Sequence, residues 1–272
     1  MLRTRVITAA ALLPLAFLLV FGASQAVFSL VLSALLLVGS WEFHRLAGVA
    51  WLPAGLGLLL FQATLFALLY AGLDAWLAHA SDLLTIACAL WLLMLLRLRG
   101  YRPGAVVDKR YRTLSLACAP VVITAGWLAL TTLHELAGGG WWILVLLLII
   151  WAADIGAYFA GRAFGKAKLA PHISPGKTRA GLVAGMLLAV VTAVLAGQAL
   201  APQPLSPPVW AGIGLVTALV SAGGDLFISL HKRTVGRKDS GMLFPGHGGV
   251  LDRLDSLLAG APFFTLGILL AH

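Results

Sequence analysis

The sequence predicts an all-α fold, that of a polytopic membrane protein with about nine transmembrane helices. Of its 272 residues, 61% are hydrophobic and only 11% are charged, and the mean hydropathy is +0.98. A soluble domain carries roughly 25% charged residues, so this chain has too few charges to cover a surface that faces water. Backbone in lipid must satisfy its own hydrogen bonds, which in a chain of this kind means helices.

A spanning helix needs about 20 apolar residues, and the hydropathy pattern predicts nine such segments. They lie at residues 6–22, 26–43, 50–72, 82–97, 114–134, 140–161, 181–200, 208–230 and 257–271. We expect a single integral membrane domain over residues 1–272, with N-terminal helices in 1–135 and a motif-bearing half in 136–272.

The first segment has a second interpretation. Arg3 and Arg5 precede an apolar run that ends near Ala23 and Ala26, a pattern that also fits a cleaved secretory signal. A first spanning helix is the simpler interpretation because the whole chain after it has the composition of a membrane protein.

The basic residues predict an orientation. All 19 lysines and arginines fall at the N-terminus or in the second, fourth, sixth and eighth connections between segments. The positive-inside rule then places the N-terminus in the cytoplasm and the C-terminus outside. Topology therefore explains the net charge of +9. Attraction to anionic lipid or to a phosphate-bearing substrate is a compatible second reason. Nucleic acid is not expected as a partner.

Two aspartates lie inside apolar segments, Asp154 in the sixth and Asp225 in the eighth. A charged side chain in a spanning helix is costly and usually faces a polar cavity; the alternative is a protonated or hydrogen-bonded packing group. Ser221, Asp225 and Ser229 are spaced by four residues, which places them on one helix face. This polar stripe favours a functional role for Asp225.

The eighth connection combines acids, cations and glycines. Asp252 and Asp255 are three residues apart, so on a helix both carboxylates share a face. Cations and glycines surround them: Lys232, Arg233, Lys238, Arg253 and the run Pro245-Gly246-His247-Gly248-Gly249. Mg²⁺ prefers oxygen ligands and takes one or two protein carboxylates plus phosphate oxygens, and glycines let backbone N–H groups approach phosphates. The combination predicts a Mg²⁺-polyphosphate site, which a merely topogenic basic loop would not explain.

The sixth connection carries Ser174-Pro175-Gly176-Lys177-Thr178-Arg179 directly before the seventh segment. Hydroxyls and cations at a helix start suit an anion. We expect no Walker A motif, because the upstream glycine is missing and no strand is predicted before the run. The six cations of the fourth connection have no such partner motif, and topology is enough to explain them.

These motifs resemble the signature of the phosphatidate cytidylyltransferases, the CDP-diacylglycerol synthases. The resemblance rests on Ser229-x-x-Lys232-Arg233, Lys238-Asp239-x-Gly241, Pro245-Gly246-His247-Gly248-Gly249 and Asp252-Arg253-x-Asp255. It continues in Asp154-x-Gly156-Ala157-Tyr158, in Ile173-Ser174-Pro175-Gly176-Lys177-Thr178 and in Trp41-Glu42-Phe43. It covers the chain from the second segment to the end and is strongest in the C-terminal half.

The resemblance implies a reaction in which a phosphatidate oxygen attacks the α-phosphorus of CTP, giving CDP-diacylglycerol and pyrophosphate. It implies Mg²⁺ held by Asp225 and Asp252, with Asp255 beside them. The implied catalytic residues are Asp225, Asp252, Asp255 and Lys232. The residues expected to bind substrate are Ser174, Lys177, Ser229, Arg233, Lys238, His247 and Arg253, where His247 is either a phosphate ligand or a proton shuttle.

The resemblance further suggests a homodimer and a second, monovalent cation such as K⁺. CTP, phosphatidic acid and membrane lipids are the expected partners, and a bacterial inner membrane, with the active site facing the cytoplasm, is the simplest location. The pattern departs from the family at Ile228 and Ala180, where family members usually carry glutamate.

Two other functions stay open at this stage. A transporter or flippase of lipid phosphates would use the same basic cavity without chemistry, but transporters often show inverted repeats, and here the polar residues crowd into the C-terminal half. A non-catalytic scaffold that descends from the enzyme is the third hypothesis, and the two missing glutamates are its only support.

Overall fold

The computed structural model describes residues 2–102, 104, 106–244, 246 and 248–271, and for residues 2–9, 11, 12 and 74 it describes the backbone alone. Helices dominate. They are α1 (Leu2–Gly22), α2 (Gln25–Leu46), α3 (Leu52–Ala71), α4 (Leu73–Leu77), α5 (Ala80–Leu95), α6 (Lys109–Glu135), α7 (Gly139–Phe164), α8 (Arg179–Leu200), α9 (Pro207–Thr234) and α10 (Leu251–Ala271). A 3-10 helix, Leu96–Gly100, extends α5, and two short strands, β1 (Lys168–Ala170) and β2 (Ser174–Thr178), join α7 to α8.

Eight of these helices are long and apolar enough to cross a membrane, namely α2, α3, α5 with its 3-10 extension, and α6 to α10. Within α1, the described apolar stretch, Leu13–Gly22, is shorter than these spans. The all-α, polytopic fold class is therefore confirmed. The count of nine spans and the orientation of the termini stay predictions.

The sequence-based boundaries were wrong at the basic end of the bundle. Helix α9 runs to Thr234 and α10 begins at Leu251, so the eighth connection covers residues 235–250 rather than 231–256. Both helices continue beyond their apolar segments in turns that carry polar residues, and hydropathy does not mark such turns. Lys232 thus lies on α9, and Asp252 lies in the first turn of α10.

The sixth connection was also predicted without a strand, and the structure corrects this. Strands β1 and β2 form an antiparallel hairpin in which Lys168 faces Thr178 and Ala170 faces Ser174. Thr178 then caps α8, since its hydroxyl accepts a hydrogen bond from Gly181 N at 3.1 Å. The hairpin places Lys177 directly before Thr178, the N-cap of α8.

Small residues allow α7 and α8 to approach closely. A Cβ added at Gly185 of α8 would lie 2.5 Å from the carbonyl oxygen of Ala153 in α7, and one added at Gly181 would lie 2.7 Å from that of Ala157. Membrane helices pack well through such small residues, because lipid provides no hydrophobic force that would drive them together. Helix α9 crosses α10 in the same way, since a Cβ at Gly224 would lie 2.7 Å from the carbonyl oxygen of Asp255.

We expect Gly185→Val to destabilise the bundle, because its branched side chain would press on the backbone of α7. Overpacking of this kind costs about 1–3 kcal/mol. The measurement is the thermal unfolding midpoint of the detergent-purified protein. Gly212→Val is the matched control, because a Cβ at Gly212 of α9 meets open space. Equal midpoints for the two variants would contradict the close α7–α8 packing.

Candidate active site

The candidate site lies where α9, α10 and the β hairpin meet. Helix α9 supplies Asp225 and Lys232, the start of α10 supplies Asp252 and Asp255, and β2 supplies Lys177. The close crossing of α9 and α10 at Gly224 brings the two acidic segments together. The structure thus gathers five of the residues that the sequence selected into one cluster.

Asp225 is held by a cation and a hydroxyl. Lys177 Nζ lies 2.6 Å from its Oδ2, and Ser229 Oγ donates a hydrogen bond to its Oδ1 at 3.1 Å. The predicted polar stripe on α9 is therefore a real contact between Asp225 and Ser229. Ser221, one turn earlier, is buried, and its hydroxyl has no hydrogen-bond partner among the described residues.

Asp252 uses both of its carboxylate oxygens. Oδ1 pairs with Lys232 Nζ at 2.7 Å, and Oδ2 accepts from Ser240 N at 2.8 Å, Ser240 Oγ at 3.0 Å and Gly249 N at 2.9 Å. Its side chain is only 5% exposed. Such a carboxylate has little freedom to rotate, so its Oδ1 points toward Lys232 in a fixed direction.

Lys232 and Lys177 balance the cluster. Lys232 interacts electrostatically with all three carboxylates, those of Asp225, Asp252 and Asp255. Lys177 acts on Asp225 and Asp255 and also on Asp154 of α7. Four acidic side chains thus lie within electrostatic range of two ammonium groups.

The donor set suits Mg²⁺. Among the described residues, no group of three or more His, Cys, Asp or Glu side chains is placed to hold a metal by itself. Mg²⁺ needs no such group, since it binds through one or two carboxylates and completes its octahedron with water and phosphate oxygens. Asp225 and Asp252 each present a carboxylate oxygen that already pairs with a cation, so the chemistry of the pair fits the ion.

Glu42 is a site residue for which sequence reasoning assigned no role. Its carboxylate, 5% exposed, accepts hydrogen bonds from Ser240 Oγ at 2.7 Å, Val250 N at 3.0 Å and Leu251 N at 2.9 Å. Helix α2 thereby fastens both ends of the segment from Ser240 to Leu251. The signal was present, because Glu42 is an acidic residue close to an apolar run, as Asp154 is.

Three glycines of the eighth connection let the backbone approach these carboxylates closely. A Cβ at Gly248, whose φ is +85°, would lie 2.6 Å from Asp252 Oδ2. A Cβ at Gly249 or Gly241 would collide with the carboxylate of Glu42. The glycines therefore permit the close approach that the sequence predicted, but here it is an approach of backbone to carboxylate.

A cavity of about 400 Å³ adjoins the cluster. Asp154, Ser174 and Lys177 line part of it, and the remaining wall is mostly apolar, largely from α7, α8 and α9. Asp154 is exposed, as expected for a charge that faces a cavity. The cavity therefore joins an apolar volume between membrane helices to the cationic group of Lys177.

Of the other predicted substrate-binding residues, three are exposed and one lies outside the described residues. Arg233 is exposed, and its guanidinium donates to the carbonyl oxygens of Ile173 and Arg237 at 3.2 and 3.3 Å, so it ties the hairpin to the end of α9. Lys238 and Arg253 are exposed. His247 lies outside the described residues.

One cation of the fourth connection, Arg97, also contacts a buried residue of α9. Arg97 Nη1 lies 3.5 Å from Nε2 of His231, which is fully buried on α9. His231 Nδ1 faces the carbonyl oxygen of Phe227 at 2.8 Å, which can only accept, so Nε2 is left to accept from Arg97. This contact supports the turn of α9 that carries Lys232.

The two residues that depart from the family pattern differ in how deeply they are buried. Ile228 is completely buried in the hydrophobic core, whereas Ala180 is half-buried in the first turn of α8. Neither side chain carries charge, so the cluster keeps only the acidic groups described above.

Comparisons with known proteins agree with this geometry. A profile of the cytidylyltransferase family matches residues 3–270. Phosphatidate cytidylyltransferase of Pseudomonas aeruginosa is 37% identical over 97% of this chain and 96% of its own, and that of Haemophilus influenzae is 35% identical over 97% and 98%. That of Brucella suis is 48% identical over 43% of each chain. The chain belongs to the cytidylyltransferase family.

Proposed function

We propose that this protein is a phosphatidate cytidylyltransferase, which converts CTP and phosphatidate to CDP-diacylglycerol and pyrophosphate. The observation that carries the proposal is the two ion pairs Asp225–Lys177 and Asp252–Lys232, which interact electrostatically. Lys177 also lines an apolar cavity. The near full-length relatives named for this activity support it. No observation on the described residues favours the transporter or the scaffold.

The two lysines can bind phosphate while they stay paired. An ammonium group has three donors, so Lys232 can hold Asp252 and still donate to a phosphate oxygen. The same holds for Lys177, which directly precedes the N-cap of α8, where the helix dipole also favours an anion. We assign the CTP phosphates to the surroundings of Lys232 and the lipid phosphate to those of Lys177.

The reaction then depends mainly on position and charge. A phosphatidate oxygen forms the new bond to the α-phosphorus, and the bond from that phosphorus to the bridging oxygen of pyrophosphate breaks. Phosphatidate is already an anion at neutral pH, so no dedicated base is needed. Bringing two anions together is the main barrier, and fixed cations in a site shielded from water lower it.

Asp225 and Asp252 would hold Mg²⁺, with Asp255 behind them. When bound, the ion supplies charge neutralisation on the phosphate oxygens and on the leaving pyrophosphate. The fixed orientation of Asp252, which Ser240, Gly249 and Glu42 secure, is what this chain contributes. A K⁺ ion beside Mg²⁺, and a homodimer, stay predictions from the resemblance.

The apolar cavity gives the lipid a path. Its walls come from membrane helices, and Lys177 stands at its polar end. A lipid whose acyl chains lie along α7 and α8 would present its phosphate at this end. We further propose that this end faces the cytoplasm of a bacterial inner membrane, where CTP is available, because the basic connections lie there.

The first test replaces the central carboxylate. We expect Asp252→Asn to lower CDP-diacylglycerol formation at least about 100-fold, comparable to the loss of one transition-state stabilising group, because the amide cannot hold Lys232 or a metal as a carboxylate does. The assay is Mg²⁺-dependent release of pyrophosphate from CTP in the presence of phosphatidate, with rescue of a synthase-deficient bacterium alongside.

Asp82→Asn is the control, because Asp82 is an exposed carboxylate in the first turn of α5 and should leave the rate unchanged. Unaltered activity of Asp252→Asn, or no CTP turnover by the wild-type protein, would overturn the proposal.

The second test concerns Glu42 as a positioning residue. We expect Glu42→Gln to raise the Mg²⁺ concentration for half-maximal activity by about 10–100-fold, as loss of a supporting partner does in metal sites. High Mg²⁺ should restore much of the rate, because the lost support affects where Asp252 sits.

A merely structural role would lower the thermal midpoint without moving the Mg²⁺ dependence. We expect Gln62→Leu to lower the thermal midpoint without changing the Mg²⁺ dependence. Gln62 is also buried, but it bonds Thr124, at 3.1 Å, away from the site. An unchanged Mg²⁺ requirement in Glu42→Gln would contradict the positioning role.

The third test concerns orientation. Cys88 and Cys118 are buried, so a new surface cysteine can be labelled selectively in intact cells. We expect a membrane-impermeant maleimide to label Gln203→Cys, between α8 and α9, from outside. Arg110→Cys, at the start of α6, should react only after the membrane is permeabilised. The reverse pattern would invert the proposed topology.

A further inference from the structure

Two adjoining cavities lie at the same end of the bundle as the candidate site. Their volumes are about 240 and 660 Å³. Both are lined by Gly48, Val49 and Ala50, which connect α2 to α3. Neither shares a lining residue with the cavity beside Lys177. Together they form one groove, which we call the α2–α3 groove.

Apolar residues line most of the larger part of the groove. Trp51, Ala54, Gly57, Leu58 and Leu116 line it. The helix that forms this wall, α3, is little buried inside the protein. Trp51 is 71% exposed, and an exposed tryptophan at a helix end is typical of the membrane interface. An acyl chain is therefore the kind of group that this part can accept.

The polar end of the groove carries three arginines. Arg45 and Arg237 line the smaller part, and Arg112 lines the larger. Arg112 passes over Gly48, where a Cβ would lie 3.7 Å from its Nε. Arg112 therefore lies beside Gly48, a residue that lines both parts of the groove.

These arginines keep donors available. Arg45 donates from Nη1 to the carbonyl oxygens of Val49 and Ala50, both at 3.2 Å. These bonds fix the connection between α2 and α3. The ion pairs found within the described part of the chain join other groups. Asp108, the acid nearest to Arg112 in sequence, caps α6 through Tyr111 N at 2.6 Å. Among the described residues no carboxylate forms an ion pair with these arginines, so this end of the groove is cationic.

We propose that the α2–α3 groove binds an anionic phospholipid of the surrounding membrane at a site separate from the catalytic one. The phosphate lies between Arg112 and Arg237, and one acyl chain lies along Trp51, Gly57 and Leu116. A planar guanidinium is well suited to phosphate, since it offers two parallel N–H donors. The charge of the arginines selects anionic over zwitterionic headgroups, and the proposal does not depend on the enzymatic activity.

The test measures binding of phosphatidylglycerol to the detergent-purified full-length protein by native mass spectrometry, with phosphatidylcholine of the same acyl chains as the zwitterionic probe. Each arginine near an anionic headgroup contributes about a 5-fold change in affinity. We expect Arg112→Ala with Arg237→Ala to raise the apparent Kd for phosphatidylglycerol at least about tenfold. Gly57→Trp should do the same, because it fills the apolar part and its Cβ meets open space.

Two matched controls separate the groove from general effects. Arg99→Ala with Arg110→Ala removes the same charge from exposed positions outside the groove. Gly212→Trp adds the same side chain at another helical glycine with open space around it. Both should leave the Kd within about twofold of the wild type.

Three results would overturn the proposal. The first is a phosphatidylglycerol affinity that neither groove variant changes. The second is equal retention of phosphatidylcholine, which would show that charge plays no part. The third is a shift from dimer to monomer in Gly57→Trp with lipid binding intact, which would assign the groove to a second copy of the chain.

Discussion

The hydrogen bonds that converge on Glu42 are the constraint on which the rest of the site depends. A buried carboxylate is tolerated only when hydrogen bonds replace its lost hydration, and Ser240, Val250 and Leu251 provide them. The same Ser240 bonds Asp252. The need to satisfy Glu42 therefore fixes the connection between α9 and α10, and this connection fixes the carboxylate that faces Lys232.

The charges of the site follow from its place in the bundle. Lysines that pair with Asp225 and Asp252 keep the cluster from carrying several uncompensated carboxylates among membrane helices, where unpaired charge is expensive. The pairing is incomplete, because Asp255 and Asp154 add acidic groups that the two lysines do not match. Such a site is stable enough to fold and still able to accept a cation with an anionic substrate.

The sequence predicted much of this arrangement, for physical reasons that also explain its failures. Asp225 and Lys232 could be found because charge stands out against an apolar background, and the spacing of Asp252 and Asp255 indicated a shared helix face. The start of α10 at Leu251 could not be found, because its first turn is polar and hydropathy reports only the lipid-facing part of a helix. The hairpin that carries Lys177 was missed because two very short strands leave almost no periodic signal. The role of Glu42 depends on contacts across about 200 residues, which no local pattern contains.

Ile228 and Ala180 bear on how this member of the family handles its substrate. The side chain of Ile228 points into the core and contributes packing, so the absence of an acid there leaves no gap in the structure. It does change the charge around the site, since fewer carboxylates confront an incoming triphosphate. Coulomb repulsion between carboxylates and phosphates is strong where water is scarce. A site with four acidic side chains and two lysines therefore repels an incoming triphosphate less than one with two further glutamates would.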